Sequence, residues 1–337
     1  MAKSGTEERD LNQLTSVEIC AGAGGQASGL ERAGFEHELT VEIEPPAAST
    51  LRLNRPEWNV FEGDVREVDG RAYRGIDLLA GGVPCPPFSV AGKQLGADDE
   101  RDLFPEALRL VREAKPAAVM LENVRGLASP RFASYRESIL SELSHLGYES
   151  DWKLLEAASF GVPQLRPRFI LVAMKKTYFR RFVWGTPTAS VTTVGEALHP
   201  FMSEDGWEGA DRWARQANRV GPTLVGGSKK HGGADLGPSR AKAAWLALGV
   251  DGRGIADAAP SAEDSPTLVP KLTLEMAARV QGFDRNWRIF GRKTAAYRQI
   301  GNAFPPPVAE AVGLQIASAL KGRRLDRSSA PTMTEAL

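Results

Sequence analysis

Residues 16–35 read "SVEICAGAGGQASGLERAGF". An apolar run ends in a glycine-rich turn, and an amphipathic stretch follows. The pattern predicts a strand, a tight turn and a helix. Glycine in such a turn admits positive φ and lets the backbone approach a ligand closely. The alternation repeats downstream. "HELTVEI" (37–43) is a strand, and "PPAASTLRLN" (45–54) a helix whose prolines suit its first turn. "IDLLAGG" (76–82) and "AAVMLENV" (117–124) are near-continuous apolar runs, hence buried strands, and "LFPEALRLVREAKP" (103–116) between them is a helix. "FASYRESILSELSHLG" (132–147) is a further helix, closed by Gly147. Strands alternating with helices predict an α/β fold, with a parallel sheet covered on both faces.

The texture changes after residue 184. Stretches such as "VGPTLVGGSKKHGGADLGPSR" (220–240) are rich in Gly, Ser, Thr and Pro, which predicts a smaller, irregular, β-containing domain over 185–270. Helical patterning returns in "LTLEMAARVQGF" (272–283) and "PPPVAEAVGLQIASALKG" (305–322). The organisation expected is a large domain of 1–184 plus 271–325 around the 185–270 insert, with disordered tails at 1–14 and 326–337.

Composition narrows the function classes. No apolar stretch approaches the roughly 18 residues of a membrane span. The polar start lacks a signal-peptide core, so a cytoplasmic protein is expected. Two cysteines make no disulfide framework, and four scattered histidines without CxxC or HxxxH spacing predict no metal site. Formal net charge is zero, yet residues 160–245 hold thirteen Lys and Arg against six Asp and Glu. That basic segment on an acidic body suits a polyanion-binding face, although a solvated surface fits equally well.

The glycine turn points to a nucleotide-like cofactor. Glu42 ends the second strand, where an acid can bind ribose hydroxyls. Asp64, in "GDV" (63–65), can accept from an adenine amino group. The Walker pattern is absent, which speaks against ATP hydrolysis; NAD, flavin or another adenosine-containing cofactor stays open.

Cys85, in "GGVPCPPFSVAG" (81–92), stands just past a buried strand, where open α/β sheets bind ligands. Pro84, Pro86 and Pro87 stiffen its loop. A lone cysteine is more often a small buried hydrophobe than a nucleophile. Glu122, at the end of the next buried strand, faces the same crevice. "QLRPR" (164–168) adds Gln164, Arg166 and Arg168 on a strand, with the two arginines sharing a face. A thiol, a carboxylic acid and an arginine beside an adenosine site form a chemically specific set.

These pieces resemble the cytosine-5 DNA methyltransferases that use S-adenosylmethionine. "AGAGG", "VEIE", "GDV", "PCPPFS", "ENV", "QLRPR", "LTLEMAARVQGF" and "QIGNAFPPPVAEAVG" occur in the family's order over roughly residues 16–320. The resemblance implies a Rossmann-like methyltransferase sheet and a target-recognition domain at 185–270. It implies that Cys85 adds to carbon 6 of a flipped-out cytosine. Glu122 would protonate the ring at N3, and Arg166, with Arg168 beside it, would hold the O2 oxygen. Cofactor contacts carry over to Cys20, Ala21, Gly22, Ala23, Gly24, Gly25, Glu42, Ile43, Asp64, Val65, Gly82, Pro84 and Asn302, with S-adenosyl-L-homocysteine as product. DNA contacts are expected from Ser89, Lys93, Gln94 and Arg101 after the nucleophile. Others are expected from Gln164, Arg219, Thr223, Lys229, Lys230, His231, Arg240 and Lys242. The chain departs from the family at Cys20, where an aromatic residue is frequent, and at Pro86, where glutamine is common. A monomeric prokaryotic modification enzyme acting on double-stranded DNA is the expectation, with a cognate restriction endonuclease as partner. A tRNA-modifying relative and a catalytically silent DNA-binding module are the rival readings, ahead of a nicotinamide dehydrogenase.

Overall fold

The computed structural model describes residues 13–84, 102–188, 190–226 and 233–322. Cys85, Ser89, Lys93, Gln94, Arg101, Lys229, Lys230 and His231 lie outside the described residues, as do most of the two expected tails. The elements in chain order are β1 (Leu14–Ile19), α1 (Gly25–Arg32), β2 (Phe35–Glu42), α2 (Pro45–Asn54), β3 (Val60–Glu62) and β4 (Leu78–Gly82). There follow α3 (Phe104–Ala114), β5 (Ala118–Val124), α4 (Ala133–His145), β6 (Tyr148–Glu156), β7 (Pro167–Lys175) and α5 (Lys176–Phe179). The chain closes with α6 (Val194–Ser203), α7 (Ala210–Gln216), α8 (Ser239–Ala247), α9 (Leu274–Val280), α10 (Lys293–Asn302) and α11 (Pro306–Leu320).

Seven strands form one sheet in the order β3-β2-β1-β4-β5-β7-β6. The pairs from β3 to β5 are parallel, as the alternation of strands and helices predicts. Beyond that alternation the sheet becomes mixed: β7 runs antiparallel to both β5 and β6. The reason is the connection. Residues 157–166 hold only one 3₁₀ turn, too short for the crossover that a parallel return requires.

Both faces are covered. On one, α3 and α4 set Leu108, Val111, Ile139 and Leu143 against the sheet. On the other, Leu30 of α1 meets Val308, Val312 and Ile316 of α11. Burying each such aliphatic side chain contributes roughly 1.5–3 kcal/mol. A third cluster unites α6, α7 and α8 with α9 and α10 around Leu198, Trp213, Trp245, Met276 and Ile300.

The 185–270 segment differs from its expectation of β structure. Among its described residues only helices and isolated bridges occur, the bridges joining Gln164 to Gly221 and Asp205–Gly206 to Ser261. The cause is visible in "TVGE". Thr193 caps the α6 N-terminus by accepting from Glu196 N, and the Glu196 carboxylate accepts from Thr193 N. This reciprocal cap starts a helix within a Gly/Thr/Pro-rich context. No helix among the described residues is long and apolar enough to cross a membrane.

Candidate active site

The carboxyl ends of β1, β2, β4 and β5 open into a cavity of about 460 Å³, closed on the far side by α10 and by Ala303–Phe304. The β1–α1 turn forms its floor. Gly24 sits at φ 79°, in the left-handed region that favours glycine, and Cys20 holds φ 53° there without that freedom. Glu42 stabilises the turn: its carboxylate accepts from Gly22 N at 2.6 Å and from Glu44 N at 2.7 Å. Burial pushes the Glu42 carboxyl above its ordinary range, and these bonds hold it back.

Of the expected cofactor residues, Cys20, Ala21, Gly22, Ala23, Glu42, Gly82 and Asn302 line this cavity. Gly24 and Gly25 carry the turn behind it. Ile43, Asp64 and Val65 are not among its lining residues. Asp64 instead caps a 3₁₀ turn and pairs with Arg66 at 2.9 Å. Pro84 lines a neighbouring cavity. The Cys20 thiol is pushed up to about 12 by burial and by the nearby Glu42, Asp64 and Glu18 charges, so it stays protonated.

Sequence reasoning missed Glu18. It lies in β1, is fully buried, lines the cavity, and neither carboxyl oxygen has a hydrogen-bond partner. Burial pushes its carboxyl well above the usual range, against a smaller opposing effect of the Ala27 backbone. The signal was an acid inside an apolar strand ("SVEIC"), where an unpaired carboxylate is costly unless a ligand compensates it. Arg298, on α10, was missed as well and lines the same cavity.

The second cavity, about 420 Å³, is lined by Gly82–Pro84, Glu122–Val124, Arg166, Arg168, Thr223–Gly226 and Gly301–Asn302. It shares Gly82, Glu122 and Asn302 with the first, so the two spaces abut across those residues. Parallel pairing sets Gly82 of β4 opposite Glu122 of β5. Asn123 Nδ2 donates to Val83 O at 2.7 Å and fixes the chain that leads into Pro84.

The two arginines take different places. Arg168 Nε lies 2.6 Å from Glu122 Oε1, with both side chains about nine-tenths buried. The N–H is not aligned on the oxygen, so the contact is an ion pair rather than a directed hydrogen bond. Burial raises the Glu122 carboxyl, while the Arg168 charge, and then that of Arg166, draw it back. Arg166, 1% exposed, spends its Nη groups on backbone carbonyls. Its Nη1 donates to Leu224 O at 2.9 Å, and its Nη2 to Gly301 O at 2.6 Å and Ala303 O at 3.0 Å. Arg166 stands one residue before β7, which begins at Pro167, yet it and Arg168 both line the second cavity. Gln164, expected at DNA, is fully buried. It donates to Val280 O and Gln281 Oε1 and accepts from Leu224 N.

Among the remaining DNA candidates, Thr223 lies at the second cavity and its hydroxyl donates to Leu165 O. Arg219 and Arg240 are exposed. Arg219 donates to Ala247 O at 3.3 Å, and Lys242 pairs with Asp235 at 3.0 Å. No group of three or more His, Cys, Asp or Glu placed to hold a metal occurs among the described residues.

Comparison with known proteins agrees with this layout. The family model described as C-5 cytosine-specific DNA methylase matches residues 14–318. The chain is 58% identical over 324 residues to the Type II methyltransferase M.NaeI of Lentzea aerocolonigenes, covering 94% of this chain and 78% of that one. It is 56% identical over 313 residues to M.NgoMIV of Neisseria gonorrhoeae, covering 92% and 99%. Among solved structures, Spodoptera frugiperda DNMT2 superposes with a TM-score of 0.62 at 16% identity, over 90% of this chain and 99% of that one, a likeness of fold. A sheet of this order, two cavities meeting at Glu122, and these matches together place the chain in the C-5 cytosine-specific DNA methylase family.

Proposed function

We propose that this chain methylates carbon 5 of a cytosine flipped out of a specific duplex DNA sequence, with S-adenosylmethionine in the first cavity and the base in the second. The abutment of the cavities at Gly82, Glu122 and Asn302 carries this reading. Methyl transfer needs donor and acceptor within near-attack distance, and two cavities that share lining residues allow that.

The first cavity suits the cofactor. Glycines line it, Glu42 retains acceptor capacity for ribose hydroxyls, and the orphaned Glu18 carboxyl awaits a positive partner. When bound, the cofactor supplies an electrophilic sulfonium methyl. Cys85 follows Pro84, which lines the second cavity, and its thiolate is the nucleophile at carbon 6. Glu122 donates a proton to N3 as negative charge develops on the ring, and its raised carboxyl suits that task. In this reading Arg168, rather than Arg166, holds the O2 oxygen. Arg166 spends its Nη groups on Leu224, Gly301 and Ala303, whereas Arg168 stands beside Glu122. Extruding the base costs a few kcal/mol, repaid by contacts in the pocket. The names of M.NaeI and M.NgoMIV as Type II methyltransferases support a restriction partner that cuts the same sequence.

A duplex carrying 5-fluorocytosine tests the proposal, because fluorine at carbon 5 blocks the final elimination. The native chain forms a denaturant-stable adduct in the presence of cofactor, and Cys85→Ser forms none. An adduct on the variant, or methyl transfer to tRNA in preference to DNA, would overturn the assignment.

A further inference from the structure

The ionisable side chains of the first cavity are unequal in number. Four carboxyl side chains line it, those of Glu18, Glu42, Glu44 and Glu122, against one cationic side chain among the described residues, Arg298. Arg298 lies on α10 one turn before Asn302, and the i, i+4 spacing puts both on one helix face. It is half-buried, yet it makes no hydrogen bond or ion pair with any described residue. Among the other half-buried arginines, Arg55 pairs with Glu31 and Arg109 with Glu106 and Glu113, while Arg279, like Arg298, pairs with no described residue; of the two, Arg298 is the one that lines the first cavity. A guanidinium that lines a cavity and pairs with none of its four carboxyls has its donors open to an anion from outside.

We propose that Arg298 binds the α-carboxylate at the amino-acid end of the cofactor and thereby selects the intact amino-acid form. This rests on the reading of the first cavity as the S-adenosylmethionine site. At neutral pH that cofactor carries one anion, the carboxylate, and two cations, the ammonium and the sulfonium. The cavity offers the complementary set: a single guanidinium and several carboxyls, of which Glu18 has no partner for either oxygen. A fork of N–H donors on a carboxylate is a strong, geometrically selective contact.

Calorimetric titration of the full chain with S-adenosylhomocysteine, and with its decarboxylated counterpart, tests this without turnover. Removing a charge-assisted contact of this kind weakens binding by about ten- to a hundredfold. Arg298→Met is therefore expected to weaken S-adenosylhomocysteine by that factor. Its affinity for the decarboxylated compound should stay within about twofold, the usual scatter for uncoupled changes. Arg298→Lys recovers part of the loss, and Arg298→Gln serves if the methionine variant fails to fold. Equal weakening of both compounds would overturn the carboxylate contact. So would unchanged S-adenosylhomocysteine binding with a loss of DNA affinity, which would make Arg298 a phosphate ligand. If the native chain binds neither compound, the assignment of the cavity itself falls, an outcome distinct from failure of Arg298 alone.

Discussion

Replacing each arginine of "QLRPR" by methionine separates their roles through pH. In Arg166→Met, the carbonyls of Leu224 and Gly301 lose the donors that Arg166 gives them, while Ala303 O keeps Gln281 Nε2. Two buried acceptors left without a donor cost on the order of 2–6 kcal/mol together. No carboxylate forms an ion pair with Arg166, and its charge is the smaller of the two that hold Glu122 down, so this loss should change only weakly between pH 5.5 and 8. In Arg168→Met, Glu122 loses its ion-pair partner. Breaking a buried pair costs about 3–5 kcal/mol when the remaining charge must stay. Glu122 can escape that cost by taking a proton. Its folded carboxyl is already raised by burial, and loss of Arg168, the larger of the two opposing charges, raises it further. The folded state then binds more protons than the unfolded one. Stability is retained below the ordinary carboxylate range and lost as pH climbs from there through the raised folded value. Urea midpoints at pH 5.5 and 8 read this directly. The Arg168→Met deficit should grow with pH more steeply than the Arg166→Met deficit. Equal pH dependence in the two variants would refute the division of labour.

Glu122→Gln keeps the shape of the side chain but removes the transferable proton, so kcat is expected to fall by about 10²–10⁴, the range for a lost general acid. Cofactor binding measured by calorimetry should persist, and a fall of less than about tenfold would move the acid elsewhere. In a Cys85→Ser background only Cys20 remains as a thiol. With its thiol pushed up to about 12, about one part in ten thousand is thiolate at pH 8, so iodoacetamide labelling of the folded variant should be negligible until denaturant is added. Rapid labelling of the folded variant would contradict the buried, protonated state of Cys20.

Much of the sheet was legible because apolar runs bounded by glycine and proline report strands locally. β1, β2, β4, β5 and the helices between them follow from that code, and α2 spans the ten residues that its prolines announce. Strand direction is a different matter. Nothing in "RPRFILVAMK" states that β7 runs antiparallel, since direction depends on the length and path of the connection. The helices of 185–270 were obscured because glycine, threonine and proline outweigh one capping box in a short window. The site divides the same way. Glu42 and Glu122 stand at strand ends, so the pattern that places the strand places them. Arg166 does not, because its partners are 58 to 137 residues away in sequence. Two-residue spacing alone could not show that the strand begins after it.

That long reach explains why a charged group sits where an apolar one would pack more cheaply. The chain segments at 164–166, 221–226 and 301–303 meet in the interior with carbonyls facing inward and no helix or ladder to receive them. A buried carbonyl without a donor is expensive, and a single guanidinium offers several N–H groups in a rigid fork. Arg166 thus replaces several separate side chains with one pin, and Gln164 adds the donors that reach Val280 and Gln281. Backbones then approach closely: a Cβ on Gly226 would stand 2.6 Å from Arg298 O and from Asn302 Oδ1. Asn302 belongs to the wall between the cavities, so the pin fixes that wall against the loop that carries Thr223. If the first cavity holds the methyl donor and the second the base, as proposed, the two ligands meet beside Asn302, and a displacement of about 1 Å there is enough to cost two orders of magnitude in rate. On the proposed reading, the interior arginine serves to align two binding sites, a place that an apolar core residue of equal volume could fill but could not orient.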